Sequence, residues 1–407
     1  MNSFSTWLTT SFVILGGLTP AEWLVGFLVI IQVPAAVVLL SRLFQALGRI
    51  PPLQPVLQDH PDWAGQVTVI IPTLNEGARI QPCLAGLKLQ GAAIREVIVV
   101  DSRSQDDTVA KVLAVQAEDP RFRVITDPPL PPDWIGRPWA LHQGFLHADP
   151  HSTWILGLDA DTRPQGGLVN SLLQEAQRGS WDLLTAAPRF LLEHLGEAWL
   201  QPSLLMTLIY RFGAAGTSGD PERVMANGQC MLLRRQTLAA MGGYTAAKQS
   251  FCDDVTLARA AARQGFRVGF ADGSPLLQVR MYTSLVETWR EWGRSLALKD
   301  GAPPGQVLVD GLFLLAVMGI PLPMGVVLTV LHSWQSDWIV ERVLWGLNLG
   351  FLGIRCGMLA AVAPSYVRRP WTFWLSPLAD PLAAARILIS LFSRPKRWRG
   401  RDYSKQQ

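Results

Sequence analysis

The chain has 407 residues, of which 49% are hydrophobic and 17% are charged, and its formal net charge is +4. This length accommodates one large globular domain with several membrane segments, or two soluble domains. The small basic surplus lies beside apolar segments, where it serves as a membrane-topology signal, so it gives little support to nucleic acid binding. The four cysteines form no CxxC pair, which is typical of a reducing compartment and indicates neither a zinc site nor a disulfide framework: Cys83, Cys230, Cys252 and Cys356.

The first apolar segment runs from Ala21 to Phe44, with Gln32 as its only strongly polar residue between Glu22 and Arg42. About 20 helical residues suffice to cross a bilayer, so we predict one span here. No basic region precedes it, and no cleavage site of small residues follows it before Arg42 and Arg49. The segment is therefore predicted to be a retained anchor and not a cleaved signal.

A second apolar zone lies near the C-terminus and contains two segments long enough to span, Val307–His332 and Trp338–Ala363. The short polar turn SWQSD joins them, which favours a membrane hairpin. The composition between these zones is mixed, as in a soluble domain. We therefore predict an N-terminal anchor, a soluble domain and a C-terminal membrane region, over residues 1–50, 51–305 and 306–407.

A third apolar segment, Trp371–Phe392, contains Asp380, Arg386 and two internal prolines, which make a lipid-facing helix costly. Basic residues flank it on both sides, in YVRRP and in RPKRWRGR, and such flanks tend to stay cytoplasmic. The segment is therefore predicted to be re-entrant or interfacial, and the soluble domain is predicted to lie in the cytoplasm.

The soluble domain alternates apolar strands with helical patterns. VTVIIP, EVIVVD, FRVIT and WILGLD, over residues 67–72, 96–101, 122–126 and 154–159, are each separated by polar loops and helices. This alternation predicts an α/β domain with a mostly parallel sheet covered on both faces. Ligands of such sheets bind at the carboxyl ends of the strands, and three of these strands end in acidic loops.

The segment LDADTRP places Asp159 and Asp161 directly after a strand. In extended backbone, residues two apart point the same way, so both carboxylates are predicted to converge on one hard cation, Mg²⁺ or Mn²⁺. Such an ion neutralises a departing diphosphate. For an isolated DxD an Asx turn or a helix cap is the commoner explanation. Asp101 at the end of another strand supports a nucleotide site, with Asn75 and Glu76 of the preceding loop beside it.

Two adjacent acids, Asp253 and Asp254, begin a later helix in FCDDVTLARAAARQG. Acids at a helix N-terminus also simply favour the helix dipole. The catalytic interpretation makes Asp254 the general base that removes a proton from an acceptor hydroxyl, with its pKa set by burial and by Asp253.

Seven segments in the same order resemble glycosyltransferase family 2: VIIPTLNEG, VIVVDSRSQDDT, GRPWALHQG, LDADTRP, NGQCMLLRR, MGGY and DDVTLARAAARQG. The resemblance covers Val67 to about Trp292 and implies a nucleotide-binding sheet of the GT-A type. It implies that Asp159 and Asp161 hold metal and diphosphate and that Asp254 is the base. It also implies a set of residues that hold the nucleotide: Pro72, Thr73, Asn75, Glu76 and Asp101.

The segment RMYTSLVETWREWGRS, over Arg280–Ser295, and the C-terminal WRGRDY are similar to bacterial membrane members that glycosylate carotenoids, hopanoids and related lipids. Trp289 and Trp292 are predicted to contact the acceptor, to lie at the lipid headgroup level, or both. The remaining residues predicted on the acceptor side are Arg280 and NGQ, that is Asn227, Gly228 and Gln229; the alternative for NGQ is a plain turn before a buried strand.

The chain departs from the family pattern at three places. Arg137 stands where relatives often have lysine and is predicted to hold a phosphate bidentately. Asp253 replaces the more usual glutamate of the acidic pair. The QxxRW motif of processive synthases is absent, since the nearest segment reads ETWREW, so single transfer is favoured over polymerisation.

The sequence thus predicts an integral protein of a bacterial inner or plasma membrane that transfers one hexose, with inversion, from a nucleotide sugar to a lipid-soluble acceptor. UDP and GDP sugars are not distinguished. A carotenoid hydroxyl is the first choice of acceptor, and polyprenyl phosphate, sphingoid and hopanoid acceptors are alternatives. A nucleotidyltransferase is disfavoured because PTLNEG lacks a glycine-rich phosphate loop. The non-enzyme alternative is a membrane scaffold that retains a nucleotide fold.

Overall fold

The computed structural model describes residues 19–45, 51–213, 220–292, 296, 298, 302–392, 397–398 and 401–402. Arg49, residues 293–295 and parts of the C-terminal RPKRWRGR and WRGRDY segments, on which some of the predictions rest, lie outside these residues.

The helices and strands alternate along most of the described chain. The strands are β1 Val67–Thr73, β2 Ile94–Asp101, β3 Phe122–Thr126, β4 Trp154–Leu158, β5 Thr162–Pro164, β6 Leu183–Ala187, β7 Arg189–Phe190, β8 Cys230–Arg234, β9 Val268–Asp272, β10 Leu277–Val279, β11 Arg397–Trp398 and β12 Arg401–Asp402. The helices are α1 Pro20–Gln45, α2 Gly77–Lys88, α3 Thr108–Glu118, α4 Gly136–Leu146, α5 Leu168–Arg178, α6 Leu195–Phe212, α7 Arg235–Ala240, α8 Asp253–Arg263, α9 Leu285–Glu287, α10 Pro304–Leu314, α11 Pro321–Val330, α12 Ile339–Val362, α13 Trp371–Trp374 and α14 Asp380–Phe392.

The central sheet has seven strands in the order β3-β2-β1-β4-β8-β6-β9. Every neighbouring pair is parallel except those of β8, which runs antiparallel to both β4 and β6. A small second sheet has the order β5-β10-β7. The predicted mostly parallel α/β fold is therefore confirmed.

The sheet is buried on both faces because successive residues of β1 enter different cores. Val69 and Ile71 belong to a core completed by α2, α3 and α5, whereas Ile70 belongs to a core completed by α4 and α8. Both sets of side chains are fully buried. This explains why β1 has an unbroken apolar sequence and not an alternating one.

Among the described residues, three helical segments are long and apolar enough to cross a membrane: Pro20–Phe44, Gly305–Val330 and Ile339–Ser365. The second is not one regular helix, since a π-helical turn at Leu315–Gly319 separates α10 from α11. Gln32, the polar residue of the first segment, is buried and forms hydrogen bonds with Asn348 of α12 at 3.0 and 3.1 Å. Its amide groups are thereby satisfied away from lipid.

Helix α6 packs against these apolar helices, although it lies within the predicted soluble domain. Leu200 and Leu204 of α6 share one hydrophobic cluster with Leu39 of α1, Leu359 of α12 and Ile387 of α14. The sequence analysis did not single out α6. It joins the sheet domain to the helices that are apolar enough to span.

The segment 371–392 is broken into α13, a 3₁₀ turn at Ser376–Ala379, and α14. Its acid, Asp380, is buried and accepts hydrogen bonds from Arg355 Nε at 3.0 and 2.8 Å. Arg355 Nη2 also donates to the hydroxyls of Ser203 and Ser376, each at 3.1 Å. The acid predicted to be costly in lipid is therefore compensated within the protein, and the position of the segment relative to a membrane stays a prediction.

Asp380→Ala is expected to lower the free energy of unfolding by about 3–5 kcal/mol, because it leaves the buried Arg355 charge uncompensated. Reversible unfolding of the purified protein in detergent measures this. The double variant Arg355→Met/Asp380→Leu removes both charges and is expected to recover most of the loss. A loss below about 1 kcal/mol for Asp380→Ala would contradict a structural role for this pair.

Candidate active site

A cavity of about 860 Å³ lies at the carboxyl ends of the central strands. Its polar side is formed by the loop after β1, the turn after β4, the loop before β8 and the start of α8. Its apolar side is formed by α6 and the end of α12, and the segment after β10 contributes both aromatic and acidic side chains. The cavity thus extends from the predicted nucleotide end of the sheet to the helices that are apolar enough to span a membrane.

The loop after β1 is tied to the loop after β2. Asn75 has a left-handed backbone conformation with φ of 56°. Its backbone N–H donates to Ser104 Oγ at 2.8 Å, and its side-chain oxygen accepts from the Gln105 N–H at 2.7 Å. Asn75 and Glu76 both line the cavity. Asparagine is one of the few residues that adopt this conformation readily, so it suits this tight loop.

Asp101 is placed differently from its predicted role. It is buried, and its carboxylate accepts hydrogen bonds from the Ser104 N–H at 3.0 Å and the Ser104 hydroxyl at 2.6 Å. In the part of the chain that is described, neither Asp101 nor Pro72 nor Thr73 lines the cavity. These residues shape the loops around the predicted nucleotide site, and direct contact with the nucleotide stays a prediction for them.

Asp159 and Asp161 both line the cavity, but in a turn and not in the extended backbone that the sequence predicted. Strand β4 ends at Leu158, and the Thr162 N–H and hydroxyl both donate to the Asp159 carbonyl, at 3.2 and 2.7 Å. The predicted extended backbone from Asp159 to Asp161 is therefore wrong. The two carboxylates still influence each other, because burial and the charge of Asp159 raise the pKa of Asp161 to about 7.

This acidic turn fits a divalent cation without forming a complete site of its own. Within the described ranges, no group of three or more His, Cys, Asp or Glu side chains is arranged to hold a metal ion. Magnesium usually binds proteins through one or two carboxylates and completes its shell with water and substrate phosphates. Two carboxylates facing one cavity match that requirement.

Arg137, at the start of α4, joins the acidic turn to the acidic pair of α8. Its Nε and Nη2 donate to Asp159 Oδ1 at 3.0 and 2.9 Å, and its Nη1 donates to Asp253 Oδ2. Nη2 also donates to the Gly228 carbonyl at 2.6 Å. Burial acts to lower the pKa of this guanidinium, but Asp159, Asp253 and Asp254 raise it above its usual value. Arg137 thus neutralises carboxylates from two different parts of the chain.

The two acids of α8 differ in their partners. Asp253 is paired with Arg137, and burial nevertheless raises its pKa to about 6. Asp254 accepts from backbone N–H groups, that of Gly228 at 2.8 Å and that of Val255 at 2.8 Å. Burial raises the pKa of Asp254 as well. A base paired with a guanidinium is a poorer proton acceptor, so these contacts favour Asp254 over Asp253 as the base.

The NGQ loop before β8 packs against Arg137 and Asp254. The Asn227 side chain accepts from the Gln229 N–H at 2.9 Å, and all three residues of the loop line the cavity. A Cβ on Gly228 would lie 3.0 Å from Arg137 Nη2 and 3.1 Å from Asp254 Cβ, tighter than ordinary contact. Glycine therefore allows the loop to approach Arg137 and Asp254 this closely.

Of the other predicted acceptor residues, only Trp292 lines the cavity. It is buried, and its ring lies 6.2 Å from that of Phe190. Arg280 instead pairs with Glu193 at 2.6 Å, and the Trp289 ring lies beneath the Arg386 guanidinium at 5.6 Å. Arg280 and Trp289 therefore support the segment that carries Trp292 and do not themselves line the cavity.

Sequence reasoning missed Arg79 and Glu287, which both line the cavity. Arg79 Nη2 donates to Glu287 Oε1 at 3.0 Å, and Arg79 Nη1 donates to the Met281 carbonyl at 3.2 Å. The partners are about 200 residues apart in sequence, so no local pattern indicates the contact. This contact joins the first turn of α2 to the segment after β10.

Comparison with known proteins identifies the domain. Residues 68–240 match the family model described as glycosyl transferase family 2. An uncharacterised glycosyltransferase of Rickettsia felis is 36% identical over 96 residues, which are 24% of this chain and 29% of that protein. This chain therefore spans less than a third of the length of that relative. An N-acetylglucosaminyltransferase of Bradyrhizobium elkanii is 28% identical over 172 residues, 40% of this chain and 90% of that protein.

A solved structure has the same fold over most of the chain. It is a mannosyltransferase of Pyrobaculum calidifontis in complex with GDP-mannose and Mn²⁺, with a TM-score of 0.52 and 18% sequence identity. The similarity covers 89% of this chain and 97% of that one. The chain therefore has a GT-A-type α/β fold, and its residues 68–240 match glycosyltransferase family 2, in agreement with the predicted glycosyltransferase.

Proposed function

We propose that the protein transfers a single sugar from a nucleotide-diphosphate sugar to a lipid-like acceptor, with inversion at the anomeric carbon. The observation that carries this proposal is the shape of the cavity. One continuous space joins the carboxylates at the end of the sheet to an apolar wall made by Leu205, Leu208 and Ile209 of α6 and Met358 of α12. This wall includes Met358 of a segment that is apolar enough to span a membrane, which suits an acceptor dissolved in the bilayer.

The donor is assigned to the polar end, beside Asn75, Glu76 and the turn after β4. Asp159 and Asp161 are the residues that would hold Mg²⁺ or Mn²⁺. Such an ion, when bound, neutralises the charge that develops on the departing diphosphate. The complex of the Pyrobaculum mannosyltransferase with GDP-mannose and Mn²⁺ supports this choice of donor class and cation.

Arg137 is assigned one role before the donor binds and another after it has bound. In the structure it neutralises Asp159 and Asp253, so that buried carboxylates are tolerated close together. Its planar guanidinium also suits two-point contact with a phosphate, as the sequence predicted. We assign it to the donor diphosphate once Asp159 turns to the cation.

The acceptor hydroxyl is assigned to the space between Asp254 and Trp292. Asp254 takes the hydroxyl proton as the oxygen attacks the anomeric carbon, and the bond to the diphosphate breaks on the opposite side. One displacement without a covalent intermediate inverts the anomer. A carotenoid hydroxyl stays the first choice of acceptor, with hopanoid, sphingoid and polyprenyl phosphate acceptors as the alternatives.

The test is to express the protein in membranes, supply UDP- and GDP-sugars with Mn²⁺ or Mg²⁺, and identify glycosylated lipids by mass spectrometry after extraction. A glycolipid that requires both the protein and one donor is the expected result. If neither lipid glycosylation nor turnover of any donor is detected, the scaffold alternative is favoured instead.

The membrane topology yields a separate prediction. We propose that the N-terminus lies outside and the sheet domain in the cytoplasm, because Arg42 follows the first span, basic runs flank the segment 371–392, and that segment is predicted not to cross. A cysteine introduced beyond Arg401 is then expected to resist a membrane-impermeant thiol reagent in intact cells and to react after permeabilisation. Because Cys356 is exposed on the protein, the labelling background is a Cys356→Ser variant. Labelling from outside would refute this topology.

A further inference from the structure

The charge of the cavity bears on the chemical class of the acceptor. Eight carboxylates line it, six of them in the turn after β4, at the start of α8 and in the segment after β10: Asp159, Asp161, Asp253, Asp254, Glu287 and Glu291. Over the described ranges, only two cationic side chains line it, Arg79 and Arg137. The described side chains that line the cavity therefore carry a formal excess of negative charge.

Both cations are already engaged by these acids. Arg137 is paired with Asp159 and Asp253, and Arg79 is paired with Glu287 at 3.0 Å. A donor diphosphate brings negative charge of its own, which a divalent cation and Arg137 offset. The described part of the cavity then offers no further cation to hold a second phosphate, and like charges within a few ångströms repel strongly where water is excluded.

Glu287 keeps its negative charge beside the apolar wall. Its Oε2 accepts from the Thr283 N–H and hydroxyl, both at 2.7 Å. Burial acts to raise the pKa of Glu287, but the hydrogen bonds from Thr283 and the charge of Arg79 outweigh it and leave that pKa below its usual value. Glu287 and Glu291 lie in the same short segment as Trp292, and all three residues line the cavity that the wall of α6 and α12 also lines.

The acidic pair of α8 gives an independent argument. A phosphate monoester has lost its second proton near pH 6, so as a nucleophile at neutral pH it needs no base. A hydroxyl must lose its proton as it attacks, and this requires a positioned base. A buried carboxylate such as Asp254, which accepts hydrogen bonds from backbone N–H groups, is suited to a hydroxyl.

We infer that the acceptor is an uncharged lipid alcohol: Glu287 occupies Arg79, a cation that could otherwise hold a lipid phosphate, and Glu291 adds a further negative charge. This inference rests on the proposed function and narrows it, since it removes polyprenyl phosphates from the possible acceptors and keeps carotenoid and hopanoid hydroxyls.

The test uses two probes that differ only in the phosphate, farnesol and farnesyl phosphate, with the full-length protein in detergent. Binding is measured first by native mass spectrometry without donor or metal, at equal probe concentrations. The alcohol adduct is expected to exceed the phosphate adduct by about 10-fold or more, because the phosphate would have to enter a cavity lined by groups of the same charge. An equal or larger phosphate adduct would overturn the inference, whatever the enzyme transfers.

Variants then assign the selectivity to the two glutamates. Glu287→Gln/Glu291→Gln removes two charges and releases Arg79, so the preference is expected to shrink several-fold. The matched control is Glu118→Gln/Glu222→Gln, which removes two surface charges paired with Lys88 and Arg263. An equal change in the control, or no change in the cavity variant, would remove Glu287 and Glu291 from this role.

Transfer to the same two probes separates this inference from the proposed function. Glycosylation of farnesol but not of farnesyl phosphate supports both. Glycosylation of the phosphate at an equal or higher rate overturns the inference and leaves the proposed function standing. Preferential binding of the alcohol without transfer from any UDP- or GDP-sugar would contradict the proposed function and leave the charge selectivity intact.

Discussion

Asp254→Asn is expected to reduce turnover by about 10²-fold or more while donor affinity stays close to that of the parent protein. The substitution keeps the shape of the side chain and removes its capacity to accept a proton. Asparagine retains one acceptor oxygen, so one of the two hydrogen bonds from Gly228 and Val255 is lost. That loss costs about 1 kcal/mol of stability, which is too little to explain a collapse of turnover.

Measuring donor affinity, turnover and thermal stability on the same preparation decides between base and helix cap. If Asp254 only favours the helix N-terminus, asparagine replaces it well and turnover stays near normal. Asp253→Asn is the matched comparison, because it removes the neighbouring charge and the ion pair with Arg137. Collapse of turnover in Asp253→Asn alone would transfer the role of base to Asp253.

The same role predicts a pH dependence. Burial raises the pKa of Asp254, and only the ionised carboxylate accepts a proton, so kcat is expected to fall as pH decreases through that raised pKa. In Asp254→Asn this acid limb of the kcat profile should disappear from the residual activity. Persistence of an unchanged limb would indicate that another group titrates.

Asp161→Ala is expected to abolish measurable transfer, because it removes one of the two carboxylates proposed to hold the cation. A chelator should inhibit the parent protein in the same way, and added Mn²⁺ or Mg²⁺ should restore the parent protein but not the variant. Asp133→Ala is a suitable control, because Asp133 forms a surface ion pair with Lys248 outside the cavity. Undiminished transfer in thoroughly chelated samples would refute the metal assignment.

The folded state should tolerate this substitution. Folding raises the pKa of Asp161 from 3.8 to about 7, so its contribution to stability declines as pH rises between these values. At pH 8 the ionised side chain is unfavourable in the folded state without a cation, and Asp161→Ala is expected to be at least as stable as the metal-free parent. A marked decrease in melting temperature would indicate a structural role instead.

The sequence by itself determined strands β1 to β4, the helices that alternate with them and the apolar segments. These features depend on local patterns, because a strand buried on both faces needs an unbroken apolar run such as Val67–Pro72, and a membrane segment needs about 20 apolar residues. The acidic residues at the strand ends were also predictable, since parallel strands present their carboxyl ends at one edge of the sheet. Local patterns therefore indicated where the site lies.

The contacts within the site depended on the tertiary structure. Strand β8 runs antiparallel beside β4, with Cys230 opposite Leu158, and this brings the NGQ loop next to the turn at Asp159. This arrangement also brings Arg137 to Asp159 and Asp253. The hydrophobic cluster that α6 and α12 share likewise contributes an apolar wall to the cavity that the acids line. Such contacts join residues tens to hundreds of positions apart, and their geometry is set by sheet order and helix packing, which no local periodicity encodes.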